Sequence, residues 1–272
     1  MSNSVSPAAW FACLKQNPQA TLRLFCFPYA GGGSHIFRAW VDSFPDWVEL
    51  YAANLPGRGN RVNEPLCTSL TQVAKSLAQN IESYLDKKIA FFGHSMGALL
   101  SFELCRQLRR TRGIEPDYLF VSGHRAPHLK DGPPVHNLPD AEFLAKVREL
   151  NGTPPEILEN AELIEFMLPI LRADFQMLET YSFLPDFRLN CPLEAYGGLE
   201  DSETSYEQIS AWRDHTSNSF AQRMFPGDHF FINTARASLL DRITRSLSQL
   251  NDDRISLSEK KGYEPRAQSS PA

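Results

Sequence analysis

Ser95 sits at the centre of Gly93-His94-Ser95-Met96-Gly97, directly after the apolar run Lys88-Ile89-Ala90-Phe91-Phe92. A Gly-x-Ser-x-Gly sequence where a strand ends and a helix begins projects a serine hydroxyl from the top of a sheet. The two glycines remove Cβ atoms that would clash at so sharp a turn. The run Ala98-Leu99-Leu100-Ser101-Phe102-Glu103-Leu104-Cys105 reads as a buried helix, which sets a helix N-terminus beneath the serine. The pattern predicts a nucleophilic serine. The plainer alternative is a tight turn whose serine caps the helix.

A serine hydroxyl is a weak nucleophile and needs a base, itself oriented by a third group. Seven histidines are available: His35, His94, His124, His128, His136, His215 and His229. His229 lies in Phe225-Pro226-Gly227-Asp228-His229-Phe230-Phe231, between the last strand and the last helix, where a sheet of this kind carries its base after serine and acid in chain order. His94 adjoins Ser95, but side chains on successive residues diverge, so it reads as a packing residue. His35, His124, His128 and His215 read as surface or loop residues, with His124 and His128 candidates to border a substrate entrance.

The acid should follow the penultimate strand. Tyr196-Gly197-Gly198-Leu199-Glu200-Asp201 supplies a strand, a glycine turn and two carboxylates; Asp201 is the first choice and Glu200 the second. Asp228 is too close to His229 in sequence to bind its ring well. The other usual place for the acid, after the strand that follows the nucleophile helix, reads Val121-Ser122-Gly123-His124 and offers no carboxylate. A tetrahedral oxyanion needs preorganised N–H donors. The backbone N–H of Met96 is one candidate. The glycine-rich loop Phe27-Pro28-Tyr29-Ala30-Gly31-Gly32-Gly33-Ser34 offers Ala30, with Tyr29 second. A phosphate-binding loop is excluded there because no Gly-Lys-Ser/Thr follows.

The elements that must hold these groups alternate between strand-like and helix-like, which predicts an α/β fold with a mainly parallel central sheet. Strands are expected at 22–27, 48–53, 89–92, 118–121, 193–196 and 220–225, and helices at 70–85, after Ser95, and at 234–250. Leu70, Val73, Ala74, Leu77, Ile81 and Leu85 give the first helix one apolar face. Between about 126 and 188 the alternation breaks into consecutive helical segments. In the first, Pro139, Asp140 and Glu142 suit a helix start, and Phe143, Leu144, Val147 and Leu150 share a face. The second, 161–181, is expected to be interrupted or kinked at Pro169. Flanked by Asp131-Gly132-Pro133-Pro134 and Gly152-Thr153-Pro154-Pro155, this insertion reads as a lid on a single domain of residues 1–250. Residues 251–272 read as a polar tail that frays.

A net charge of −5 argues against a nucleic-acid binder held by phosphate contacts. No apolar stretch is long enough for a transmembrane helix, and no secretory signal is evident at the N-terminus, so a cytoplasmic protein is expected. Cys13, Cys26, Cys67, Cys105 and Cys191 are scattered and read as reduced thiols, without a disulfide or metal framework.

Taken in order, Phe27-Pro28-Tyr29-Ala30-Gly31-Gly32, Leu55-Pro56-Gly57-Arg58-Gly59, Gly93-His94-Ser95-Met96-Gly97, Leu171-Arg172-Ala173-Asp174-Phe175, Gly197-Gly198-Leu199-Glu200-Asp201 and Gly227-Asp228-His229-Phe230-Phe231 resemble the type II (external, editing) thioesterases of polyketide and nonribosomal peptide biosynthesis. Ser202 departs from that pattern, where the family commonly shows proline. The resemblance runs over about 22–250. It implies an α/β-hydrolase fold with helices on both faces of the sheet and a helical lid. It implies hydrolysis of acyl thioesters on the phosphopantetheine arm of acyl or peptidyl carrier proteins, with the arm part of the substrate and no cofactor or metal of the enzyme's own. By this mapping Ser95 is acylated, His229 is base and then acid, Asp201 orients His229, and the Ala30 and Met96 amides hold the oxyanion. Tyr29, Phe143, Phe166, Met167 and Phe175 are candidates to line the acyl chamber, the alternative for the lid residues being lid core. A monomer is implied, with carrier domains as partners. Arg106, Arg109, Arg110 and Arg112 form a candidate docking patch, against the plainer reading of solvent-facing cations at a helix C-terminus. Arg58 reads as shaping its turn. A small-molecule carboxylesterase, a fatty-acid-synthase-associated thioesterase and a non-catalytic binding protein on the same scaffold are the competing readings.

Overall fold

The computed structural model describes residues 10–130, 132–150 and 160–261, with 251–261 as backbone only. Its strands form one sheet in the order β1-β3-β2-β4-β5-β6-β7: β1 (Phe11–Lys15), β2 (Leu22–Phe27), β3 (Val48–Ala53), β4 (Lys88–His94), β5 (Tyr118–Ser122), β6 (Leu193–Gly198) and β7 (Phe220–Phe225). From β2 onward every pairing among neighbours is parallel; β1 alone runs antiparallel, along the outer edge of β3.

The sheet is covered on both sides, and the side chains alternate accordingly. In β2, Leu22, Leu24 and Cys26 face one layer while Phe25 and Phe27 face the other. All six residues are buried, as expected for a central parallel strand. Helices α1 (Leu70–Asn80) and α2 (Met96–Arg112) cover the Phe25 side through Leu70, Val73, Leu77, Leu99 and Leu104. On the opposite side, Phe37 and Trp40 of a 3-10 run at Ser34–Ser43 pack with Leu239, Ile243 and Leu247 of the last helix.

Between β5 and β6 the chain leaves the sheet for α3 (Asp140–Glu149) and α4 (Ala161–Glu179). They have a small core of their own: Phe143, Val147 and Leu171, with Met167, Leu168 and Phe175 packed against it. This is the lid. After β6 come the short helix α5 (Tyr206–Ser210), then β7, α6 (Phe231–Thr234) and α7 (Arg236–Lys261).

The structure adds to or alters the sequence expectations at four places. β1 was not expected; it is an edge strand with a bulge between Cys13 and Lys15, and its alternation is correspondingly broken. The first helix stops at Asn80, and Glu82–Tyr84 tightens into a 3-10 turn. Helix α4 runs unbroken through Pro169, forgoing the one main-chain bond that proline cannot make. The last helix does not end near Leu250: no glycine or proline occurs before Gly262, and the backbone stays helical to Lys261. The remainder of the expected tail, 262–272, and the Gly152-Thr153-Pro154-Pro155 flank lie outside the described residues. Among the described residues no helix is long and apolar enough to cross a membrane, and all cysteines are free.

Strand β6, which leads into Asp201, is anchored by a buried charge. Glu194 is 1% exposed and accepts hydrogen bonds from Tyr118 Oη, Tyr196 Oη, Ser246 Oγ and, in a fork, from Nε and Nη2 of Arg242 on α7. Burial alone would raise the Glu194 carboxyl, but these donors hold it below its ordinary value. An unfolded glutamate titrates near ~4.3, so the interaction stabilises the fold above that pH and is lost as pH falls through the lower folded value. Glu194→Ala is therefore expected to cost about 3–5 kcal/mol at neutral pH. Urea unfolding of both proteins at pH 7 and near pH 3 checks this: the gap should narrow at the acid end, and a gap independent of pH would contradict it.

Candidate active site

The turn at Ser95 is set by close backbone approach. A Cβ on Gly97 would lie 2.0 Å from the carbonyl oxygen of Phe27, and one on Gly93 would lie 1.9 Å from the carbonyl oxygen of Gly97. No side chain fits either place, so the start of α2 rests directly on β2. Ser95 takes up the reversal with φ 53° and ψ −117°, the only positive φ at a non-glycine among the described residues. Its N–H is tied to Ser122 O at 2.7 Å, fixing the turn to β5. A strained serine at a strand-to-helix turn is the geometry that exposes Oγ at the end of a sheet.

His229 lies between β7 and α6 and is 8% exposed. Its Nδ1 is 3.0 Å from Asp201 Oδ2, and the Asp201 side chain is fully buried. An ionised carboxylate can only accept, so Nδ1 carries the proton and neutral His229 has a free lone pair on Nε2. Asp201 also accepts from Thr204 Oγ1 at 2.7 Å and from the Glu203 N–H at 2.8 Å. Burial would raise the Asp201 carboxyl; the His229 hydrogen bond and charge, helped by those two donors, reverse this and hold it below the usual value. Glu200, the second choice from sequence, is exposed, and Asp228 Oδ1 is engaged by the Phe230 N–H.

A cavity of about 560 Å³ opens over these groups. Ser95, His229, Tyr29, Ala30, Gly31 and Gly32 line it from the sheet side; Met167, Leu171 and Phe175 line it from the lid. His35 and His124 also border it. Met96 is not in the cavity wall; it is the first residue of α2, where an N–H has no partner within the helix. Of the lid candidates, Met167 and Phe175 face the cavity. Phe143 does not: it is fully buried in the lid core, edge-on to Phe175 and under the Arg172 guanidinium. Phe166 is 53% exposed and absent from the lining. Period alone cannot say which side of a lid helix faces the cavity, because such a helix has an apolar stripe toward its partner as well.

Other sequence readings shift with the geometry. His94 is fully buried at the base of the site, its ring 5.2 Å from that of His229 and its Nδ1 2.9 Å from Ser122 Oγ. Burial first, and the neighbouring His229 next, push it well below the ordinary imidazole range, so it stays neutral. His215 is no surface residue: it is buried among Phe102, Phe183 and Trp212, with Nε2 2.7 Å from His128 Nδ1. Nor do the arginines at the end of α2 form a free cationic patch. Arg106 pairs with Glu103, Arg109 with Glu115 and Arg110 with Asp186, and Arg106 and Arg109 also donate to the carbonyls of Leu184 and Phe187. They hold down the chain that returns from the lid. Sequence reasoning gave Arg58 no partner; it forms a buried two-pronged pair with Asp174 of α4.

A hydroxyl on a strained turn, an imidazole tied through Nδ1 to a carboxylate, and loop N–H groups share one cavity at the strand ends of a parallel sheet. Together they define an α/β-hydrolase. Residues 22–247 match the thioesterase domain family. Linear gramicidin dehydrogenase LgrE of Brevibacillus parabrevis is 45% identical over 89% of this chain and 94% of its own length. The gramicidin S biosynthesis protein GrsT of Aneurinibacillus migulanus is 41% identical over 88% of this chain and 93% of its own. Among solved structures, RedJ, a thioesterase from the prodiginine pathway of Streptomyces coelicolor, superposes with a TM-score of 0.79 at 38% identity, covering 90% of each chain. The chain belongs to the thioesterase family and is a thioester hydrolase.

The Asp201 contact fixes the His229 tautomer, which NMR can read directly. The expected outcome is that the neutral form of the ring carries its proton on Nδ1, with a slowly exchanging, downfield Nδ1 proton that disappears in Asp201→Asn. A ring protonated on Nε2 in the parent would contradict the geometry.

Proposed function

We propose that this thioesterase releases acyl groups held as thioesters on the phosphopantetheine arm of carrier-protein domains, clearing stalled or aberrant units from a nonribosomal peptide or polyketide assembly line. The observation that carries the reading is the Asp201–His229 pair opening on the same cavity as Ser95 and Ala30, in a chain whose relatives are named for gramicidin and prodiginine biosynthesis. A cavity walled by Met167, Leu171 and Phe175 on one side suits an acyl chain, and its glycine-lined side suits close approach of a thioester carbonyl.

In this reading His229 Nε2 takes the Ser95 proton as Oγ attacks the thioester carbon. The carbonyl oxygen gains the negative charge and is met by the N–H groups of Ala30 and Met96. Collapse breaks the C–S bond, and the departing sulfur takes the proton from His229, which frees the arm as a thiol. Water then adds to the acyl-serine, giving its proton to His229. The C–Oγ bond breaks, Ser95 recovers its proton, and the carboxylic acid leaves. Asp201 stabilises the imidazolium that forms twice in this cycle. The enzyme needs no cofactor or metal in this scheme, because the arm arrives with the substrate. It acts as a cytoplasmic monomer on carrier domains presented to it.

Hydrolysis of acetyl- and longer acyl-phosphopantetheinyl carrier proteins, beside matched oxygen esters, tests the reading. Release from carriers should exceed ester turnover across several acyl groups. Ser95→Ala should lower kcat/KM by about 10⁴–10⁶-fold and Asp201→Asn by about 10³–10⁴-fold. Rapid ester turnover with negligible carrier activity would favour a carboxylesterase, and a strong medium-chain preference a fatty-acid-synthase thioesterase. Unchanged turnover in Ser95→Ala would exclude the mechanism.

A further inference from the structure

The carboxylate of Asp174 is fully buried and belongs to the lid, yet its partners belong to the body. Arg58, in the loop after β3, donates to it from Nη1 at 2.6 Å and Nη2 at 2.7 Å. The Gly31 N–H donates to the same Oδ2 at 2.7 Å, and Arg58 Nη1 also reaches Gly32 O at 3.1 Å. One lid side chain thus fixes the backbone immediately after Ala30, both directly and through Arg58.

What it fixes is a particular turn. Gly32 N–H donates to Tyr29 O at 2.9 Å, and Gly31 has φ +78° while Ala30 does not have positive φ. This is a type II turn with Ala30 and Gly31 as its central residues. Types I and II differ by a flip of the central peptide, here the one joining Ala30 to Gly31. In the observed state its N–H points at Asp174. In the flipped state its carbonyl oxygen would approach that side, against a carboxylate. The lid also closes over the turn sterically: a Cβ on Gly31 would lie 2.6 Å from Leu171 Cδ2.

We propose that Asp174 is a positioning residue for the oxyanion loop: with Arg58 it holds the loop in its reactive shape while α4 is seated, so lid and oxyanion hole close as one unit. The proposal rests on the assignment of Ala30 as an oxyanion donor. A lid displaced with Asp174 removes the acceptor of Gly31 and the partner of Arg58 together. Acyl transfer is thereby confined to the site with the lid seated over it.

The test compares the parent, Asp174→Asn, and the double variant Arg58→Met/Asp174→Leu, which removes both buried charges at similar volume. The readouts are melting temperature, kcat and KM on an acyl carrier protein, and the affinity of an alkyl boronic acid that adds to Ser95 as a tetrahedral adduct. Asp174→Asn should lower kcat by about 10²-fold with KM little changed. Boronate affinity should fall in parallel. The double variant should regain thermal stability but not kcat or boronate affinity, since leucine offers the Gly31 N–H no acceptor at all. Recovery of kcat together with stability would overturn the proposal and leave Asp174 a purely structural residue, as would unchanged kcat and boronate affinity in a folded Asp174→Asn. Those results leave Ser95-dependent hydrolysis by the parent intact. Its absence in the parent would instead remove the functional reading, and this proposal with it.

Discussion

The molecule is most tightly constrained where α2 meets β2, backbone against backbone at Gly97 and Phe27. The loop that carries Ala30 leaves β2 at Phe27, and the Gly97 Cβ position is 2.9 Å from the next carbonyl, that of Pro28. The root of that loop and the first turn of α2 are therefore fixed to each other without a side chain between them. Ser95 has to reverse the chain within the space this leaves, and its positive φ is the consequence. β2 and β4 are paired in register up to Phe27 and Gly93, so the hydroxyl and the loop emerge from the sheet at one level. A substitution adding even one methyl at this contact would separate the helix from the strand and the hydroxyl from the loop at once.

Three buried carboxylates divide the work of holding the site, and their partners tell them apart. Glu194 and Asp174 face arginines, which stay protonated at any pH the fold survives. Those pairs serve as anchors, one beneath the strand that leads to Asp201 and one between lid and loop. Asp201 faces a histidine, through Nδ1. Of these three pairs, this one alone has a member in the wall of the cavity that holds Ser95. His94, next to it, is kept neutral by burial and places no positive charge beside the His229 ring.

Much of the body was legible because its signals are local. Strands β2, β3 and β7 fall on the residues their apolar runs mark, and the order of Ser95, Asp201 and His229 follows from where loops leave a parallel sheet. The misses have a common cause. β1 pairs at an edge and is read through a partner rather than its own pattern. The Arg58–Asp174 pair joins residues 116 positions apart, and nothing in either neighbourhood announces the other. The arginines of α2 look like a solvent-facing basic cluster in sequence, whereas their acceptors, Asp186 and the carbonyls of Leu184, Phe187 and Arg188, lie on the returning chain some 76–79 residues later. Phe143 and Phe166 share the composition of cavity residues, but facing is decided by how α3 and α4 lean on each other, which periodicity does not encode.

The lid has an apolar core separate from the two that sandwich the sheet, and α4 joins the body's core near its C-terminal end, through Met177 and Leu178. Polar groups add to this. Within the lid, Glu179 receives the N–H groups of Val135 and His136, and Arg172 donates to the carbonyls of His136 and Leu138. Between lid and body, Asp174 binds Gly31 and Arg58. Apolar contact tolerates sliding, because its energy changes gradually with area. Hydrogen bonds to a buried carboxylate do not, since they weaken steeply with distance and angle and leave a charge stranded once broken. A lid fastened in this way favours discrete positions over a continuum, and the bonds within it tie its segments to one another. That is the mechanical requirement for a cover that must admit a long arm and then surround the acyl group it carries.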